Sequence, residues 1–100
     1  MGLREKQSKF VRMVDQLIQF AYDRGYELTF GDAWARNGHS NNSLHYIRLA
    51  IDLNLFRDGE LLSDTDDHRA LGEFWESIGG SWGGRFGDGN HYSLEHNGKK

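Results

Sequence analysis

The stretch Ser43-Leu44-His45-Tyr46-Ile47-Arg48-Leu49-Ala50-Ile51-Asp52-Leu53-Asn54-Leu55 changes character halfway along. From Leu49 onward the apolar Leu49, Ile51, Leu53 and Leu55 alternate with Ala50, Asp52 and Asn54. That is the period of a strand with one face in a core and the other carrying a carboxylate. Before Leu49 no such alternation holds. His45 and Asp52 stand seven positions apart, a separation of roughly 23 Å on a straight strand and roughly 10 Å on a helix. They meet only if the chain turns around Tyr46 to Leu49 and then extends. His45 then comes back beside Asp52 on the polar face, where the small Ala50 leaves room.

Upstream, Phe10, Val11, Val14, Leu17, Ile18, Ala21 and Tyr22 recur at three- and four-residue steps, which predicts an amphipathic helix from Ser8 to Arg24. Gly25 supplies a left-handed stop, and Tyr26, Leu28 and Phe30 alternate with Glu27 and Thr29 as a first strand. Residues 31–42 have no apolar period and read as a surface loop. Downstream, Asp58-Gly59 predicts a tight hairpin that lets Glu60 to Leu62 pair back. A second helix follows on Leu71, Phe74, Trp75 and Ile78, capped by Thr65 or Asp66 and closed by Gly79-Gly80. Six of the eleven residues 79–89 are glycine, so this run is expected to be a flexible or tightly turned loop outside the core. His91, Ser93 and Glu95 then alternate with Tyr92, Leu94 and His96 as a last strand, and Asn97 to Lys100 is expected to fray. The fold class is α+β: one domain over residues 1–100, with a small antiparallel sheet and two main helices.

One hundred residues with 13 aromatics supply one core and no second. A net charge of −3 argues against docking on nucleic acid or anionic membrane. The absence of cysteine excludes disulfides, thiolate metal sites and a thiol nucleophile, so any metal must be held by His and carboxylate. Met-Gly-Leu-Arg-Glu-Lys has no apolar segment behind its charges, and no long apolar run occurs elsewhere. The expectation is a soluble monomer made in the cytoplasm without a signal peptide.

The chemistry lies in two clusters. His45 and Asp52 offer an imidazole and a carboxylate. Asp88-Gly89-Asn90-His91, at the mouth of the glycine run, offers a second imidazole and a further carboxylate. With His91 as a third ligand, a tetrahedral metal keeps one position open for water, the mark of a catalytic zinc site. Asp88, on the preceding turn, would face that water as general base. By spacing alone, a surface histidine hydrogen-bonded to a strand carboxylate explains His45 and Asp52 equally well. Ser43 is a candidate to orient a ligand, or else a plain turn serine. His39, Trp34 and Trp82 sit in loops as possible substrate contacts, Trp75 falls on the apolar stripe, His68 begins a helix and reads as a cap or a water-facing residue, and His96 reads as a surface residue.

Ser43, His45, Ala50 and Asp52, followed by Asp88 and His91, match the paired motifs of the LAS-type zinc peptidases, Ser-x-His-x-x-Gly-x-Ala-x-Asp and later Asp/Glu-x-x-His. The resemblance runs from the first helix to the last strand and includes Gly-Glu-Phe-Trp-Glu at 72–76 and Gly-Gly-x-Trp-Gly-Gly-Arg-Phe at 79–86. That family contains VanY-like D-alanyl-D-alanine carboxypeptidases and phage L-alanyl-D-glutamate endopeptidases, and hedgehog signalling domains share its fold. The longer pattern is similar to the phage branch. The resemblance implies one Zn2+ per chain on His45, Asp52 and His91, Asp88 as base, and a peptidoglycan stem peptide as substrate. An endolysin reaching the wall by holin-type release would fit, with a carboxypeptidase or a non-catalytic zinc-stabilised binding module as alternatives. Arg48 stands where the motif has glycine, so the turn must be built without it. The family's substrate-holding arginine has Arg36 as its candidate, or Arg85 from the glycine run.

Overall fold

The structure is a computed structural model that describes residues 2–32 and 43–100. Its elements are α1 (Leu3–Asp23), β1 (Glu27–Phe30), a 3-10 turn (Leu44–Ile47), β2 (Ala50–Arg57) and β3 (Glu60–Leu62). A second 3-10 turn (Thr65–His68) runs into α2 (Arg69–Ser77), followed by β4 (Ser81–Trp82), a third 3-10 turn (Gly83–Phe86) and β5 (His91–Ser93). All strand pairs are antiparallel, in the order β1-β2-β5-β4. β2 is the longest strand and organises the rest: β1 lies along one side, and β5 and β3 share the other, β5 against Ala50–Asp52 and β3 against Leu55–Arg57.

The α+β class and the two helices agree with the sequence reading, and the differences have local causes. α1 begins at Leu3 rather than Ser8, so its first turn lies outside the apolar stripe that periodicity detects. Its end follows the expected glycine rule: Tyr26 N–H reaches back to the Ala21 carbonyl at 3.0 Å around a left-handed Gly25. The Asp58-Gly59 hairpin has both residues at positive φ, as a two-residue turn of this kind requires. The cap before α2 is Asp64, which forms a reciprocal capping box with Asp67, rather than Thr65 or Asp66.

The alternating residues of β2 divide the molecule. Ile51, Leu53 and Leu55 face a core built with Phe10, Met13, Leu17 and Ala21 of α1 and Leu71 and Trp75 of α2. Each fully buried leucine here contributes roughly 1.5–3 kcal/mol. Phe10 meets Trp75 edge-on at 5.7 Å, and the Trp75 indole N–H donates to the Ser93 carbonyl at 2.8 Å, tying α2 to β5. Ala50 and Asp52 turn the other way, paired in register with Ser93 and His91.

The glycine run is where expectation fails most. Instead of a loop outside the core it holds β4, a 3-10 turn and a core residue: Trp82 is 1% exposed, and its N–H donates to the Gly89 carbonyl at 2.8 Å. Gly72 of α2 makes room for that indole, since a Cβ there would come within 2.0 Å of the ring. The glycines serve close packing rather than flexibility. The last residues do not fray either. Asn97 and Gly98 both take positive φ, and His96 and Lys99 exchange two backbone hydrogen bonds across them. Asn-Gly between strand-like residues is a hairpin signal, and it was available in the sequence.

Candidate metal centre

Asp52 lies on the central strand and His91 directly opposite on β5, so alternation sends both side chains to the same face. His45 arrives by another route. Ser43 caps the first 3-10 turn by accepting the His45 N–H on its Oγ at 3.2 Å, so it acts on the histidine's main chain. The turn then closes through Arg48 at φ 58, ψ 37, with Leu49 N–H donating to the Leu44 carbonyl at 2.9 Å. Arg48 therefore adopts the left-handed conformation itself, at the position where the motif has glycine. The reversal brings His45 Nε2 to 3.3 Å from Asp52 Oδ1, and His91 Nδ1 stands 3.4 Å from the same oxygen.

One atom from each of the three side chains falls within a 4.8 Å group, the arrangement of a site positioned to bind a metal ion. A tetrahedral zinc with N and O ligands at about 2.0–2.1 Å separates its ligand atoms by about 3.3–3.4 Å, so the two short contacts have the length of ligand–ligand edges. Asp52 Oδ1 is buried and makes no well-formed hydrogen bond, which fits an oxygen shaped for a cation. Electrostatics agree. Burial alone would push the Asp52 carboxyl up, but the close imidazoles of His45 and His91 outweigh it and hold it well below the usual carboxylate range. Burial pulls His91 down, yet the Asp52 carboxylate and a main-chain oxygen at Lys100 outweigh it and raise its pKa. Two imidazoles and a carboxylate are a donor set suited to zinc.

The remaining expected residues are placed unevenly. Asp88 is exposed on the turn before β5 and outside the three-residue cluster; its carbonyl accepts the His91 N–H at 3.1 Å, and its charge acts on both His91 and His68. Arg85 is exposed and held by Glu76 through two hydrogen bonds of 2.6 and 2.9 Å. Trp82, expected to touch substrate, is a core residue with no face to offer one. Arg36, His39 and Trp34 lie outside the described residues.

His68 was missed. Expected to cap a helix or face water, it makes no side-chain cap bond and is 1% exposed, and its Nδ1 lies 2.7 Å from the hydroxyl of Tyr92, itself fully buried. Its spacing to Leu71, Gly72 and Trp75 is that of one helical face, the signal that could have found it. His96 lies 3.2 Å through Nδ1 from Lys6 Nζ, away from the cluster.

Among the described residues no helix is long and apolar enough to cross a membrane. No curated protein matches the chain at a significant level. A family model described as D-alanyl-D-alanine carboxypeptidase matches residues 36–94, a span holding His45, Asp52, Asp88 and His91. The chain thus belongs to the D-alanyl-D-alanine carboxypeptidase family of LAS-type, VanY-like peptidases.

Proposed function

We propose that this peptidase is a zinc enzyme that hydrolyses peptidoglycan stem peptides, with His45, Asp52 and His91 as ligands and the L-alanyl-D-glutamate bond as target. The observation that carries the reading is the buried Asp52 oxygen, 3.3 and 3.4 Å from two imidazole nitrogens. A zinc ion bound there would lower the pKa of a coordinated water and polarise the scissile carbonyl. His45 is held by the Ser43-capped turn and His91 by register with Asp52, so the main chain of both is positioned before any ligand arrives. Asp88, on the turn that ends at His91, is the proton acceptor, its carboxylate taking a proton from the attacking water and delivering it to the leaving amine.

A carboxypeptidase acting on terminal D-alanyl-D-alanine is the second reading, favoured by the description of the matching family. It requires a cationic group for the free carboxylate. Arg36 and Arg48 are the candidates for that contact, since Arg85 is engaged by Glu76. A phage or prophage endolysin reaching the wall after holin-type release is the biological setting that suits the endopeptidase.

Mass spectrometry of peptidoglycan fragments, treated with zinc-loaded or chelator-treated protein, tests the proposal. New termini at alanine and glutamate support the endopeptidase, and loss of terminal D-alanine alone transfers the assignment to the carboxypeptidase. Absence of metal-dependent cleavage of either kind refutes both in favour of a binding module. Asp88→Ala is expected to bind zinc as the parent does while hydrolysis falls by about 10²–10⁴-fold; undiminished turnover removes Asp88 from the mechanism.

A further inference from the structure

We infer that the chain's return after β5 is a positioning device for His91, presenting the Lys100 main-chain oxygen to the far side of the ring. This rests on the metal reading above. His91 has two nitrogens with separate tasks: Nδ1 faces Asp52 Oδ1 at 3.4 Å, and Nε2 lies 2.9 Å from the Lys100 oxygen. Both oxygens can only accept, and the shorter contact, 2.9 Å against 3.4 Å, favours the hydrogen on Nε2. In the neutral ring this leaves the lone pair on Nδ1, the nitrogen aimed into the cluster.

The oxygen is held from several directions. Ser93, two residues beyond His91 on the same face of β5, donates its Oγ to the Lys100 oxygen at 2.5 Å. The Asn97-Gly98 turn brings the chain back, closed by the His96 N–H to the Lys99 carbonyl at 3.0 Å and the reverse bond at 2.9 Å. Lys6 Nζ, 3.2 Å from His96 Nδ1, ties the same hairpin to α1. A segment that does no chemistry thus fixes both the tautomer and the rotation of a ring that does. His45 has a different arrangement, being set by its own capped turn.

The test uses the full chain beside two variants, Gly98→Val, which places a β-branched residue at φ 81, and a deletion of residues 97–100. Zinc affinity is measured by chelator competition. The His91 tautomer is read in metal-free protein by long-range nitrogen–proton NMR, well above the imidazole titration range. The expected result is a single Nε2–H tautomer in the parent, a mixture in both variants, and zinc affinity lower by about 10–100-fold. Thermal unfolding of the metal-free proteins should remain close to the parent's. Variants that bind zinc as tightly as the parent overturn the device and leave the metal reading standing, whatever their tautomer. A parent that binds no zinc overturns both.

Discussion

Two arms deliver a histidine to Asp52, and they are built in opposite ways. The first, Ser43 to Leu49, reverses through Arg48, a long side chain in the left-handed region at φ 58. The second, Ser81 to His91, reverses through glycines packed so tightly that a Cβ on Gly83 would stand 2.3 Å from the Asp88 carbonyl oxygen and 2.6 Å from the His91 Cβ. One arm tolerates local strain to keep a side chain; the other gives up side chains to gain proximity. Left-handed backbone costs a non-glycine residue roughly 1–2 kcal/mol, a modest penalty at a single position. Backbone contact as close as that at Gly83 has no comparable remedy. The arms should therefore respond unequally to change.

Removing the point where they meet has the largest effect. Asp52→Ala should lower turnover by at least about 10³-fold, about 4 kcal/mol of transition-state stabilisation. It should also weaken zinc binding measured by competition. Near-parental zinc affinity would mean that the two histidines hold the ion without the carboxylate.

Next comes the glycine arm. Gly83→Ala should destabilise the fold by about 3 kcal/mol in chemical denaturation, because main chain rather than a flexible side-chain end must move. It should also weaken zinc binding, since His91 lies in the displaced segment. A loss under about 1 kcal/mol would show that the arm yields more readily than its packing implies.

Arg48→Gly should act in the opposite direction and less strongly. Relief of the left-handed conformation, less the extra freedom glycine gains when unfolded, leaves a net stabilisation of about 0.5–1 kcal/mol. A rise in thermal midpoint with zinc affinity unchanged is the expected readout. A fall would show that interactions of the Arg48 side chain outweigh the strain, which would explain why arginine occupies a position where the family motif has glycine.

This contrast also marks what could be read from the sequence. Alternation from Leu49 to Leu55 located β2, and the bend required between His45 and Asp52 located the first arm, because both follow from spacing alone. That Arg48 itself would turn left-handed was hidden, since nothing in an arginine announces positive φ. In the second arm the glycines pointed to a flexible or tightly turned loop outside the core, while Gly84 makes room for the Trp82 indole, Gly83 for the backbone of Asp88 and His91, and Gly89 for Thr65. Composition reports the absence of side chains but not what fills the space. Asp88 and His91 were legible as a motif, and the second nitrogen of His91 was not, because its partner lies beyond a turn that had been read as a fraying end.

The smallest effect concerns what stands behind the glycine arm. His68 is buried on the opposite side of β5 from His91, against Tyr92, and Thr65 of the same turn lies against Gly89. Burial lowers its pKa, and the charges of Asp67 and Asp88 and the Leu62 carbonyl only partly offset that. The folded state therefore resists a proton that the unfolded chain accepts below the ordinary histidine value of about 6.5. There the unfolded state binds more protons, so the His68 contribution to stability is full above that pH and declines as pH falls toward the lowered folded value. His91 acts with the opposite sign, because its pKa is raised and the stability it gives is lost as pH rises. The two separate in a difference measurement on metal-free protein, in which the parent and His68→Gln share the His91 contribution. The parent's stability relative to the variant should fall on going from neutral pH to about pH 5. Amide exchange should quicken first in the glycine arm, beside His68, while the Arg48 arm keeps its protection. A pH-independent difference would mean that His68 takes its proton as readily folded as unfolded, and that the packing behind the glycine arm admits water.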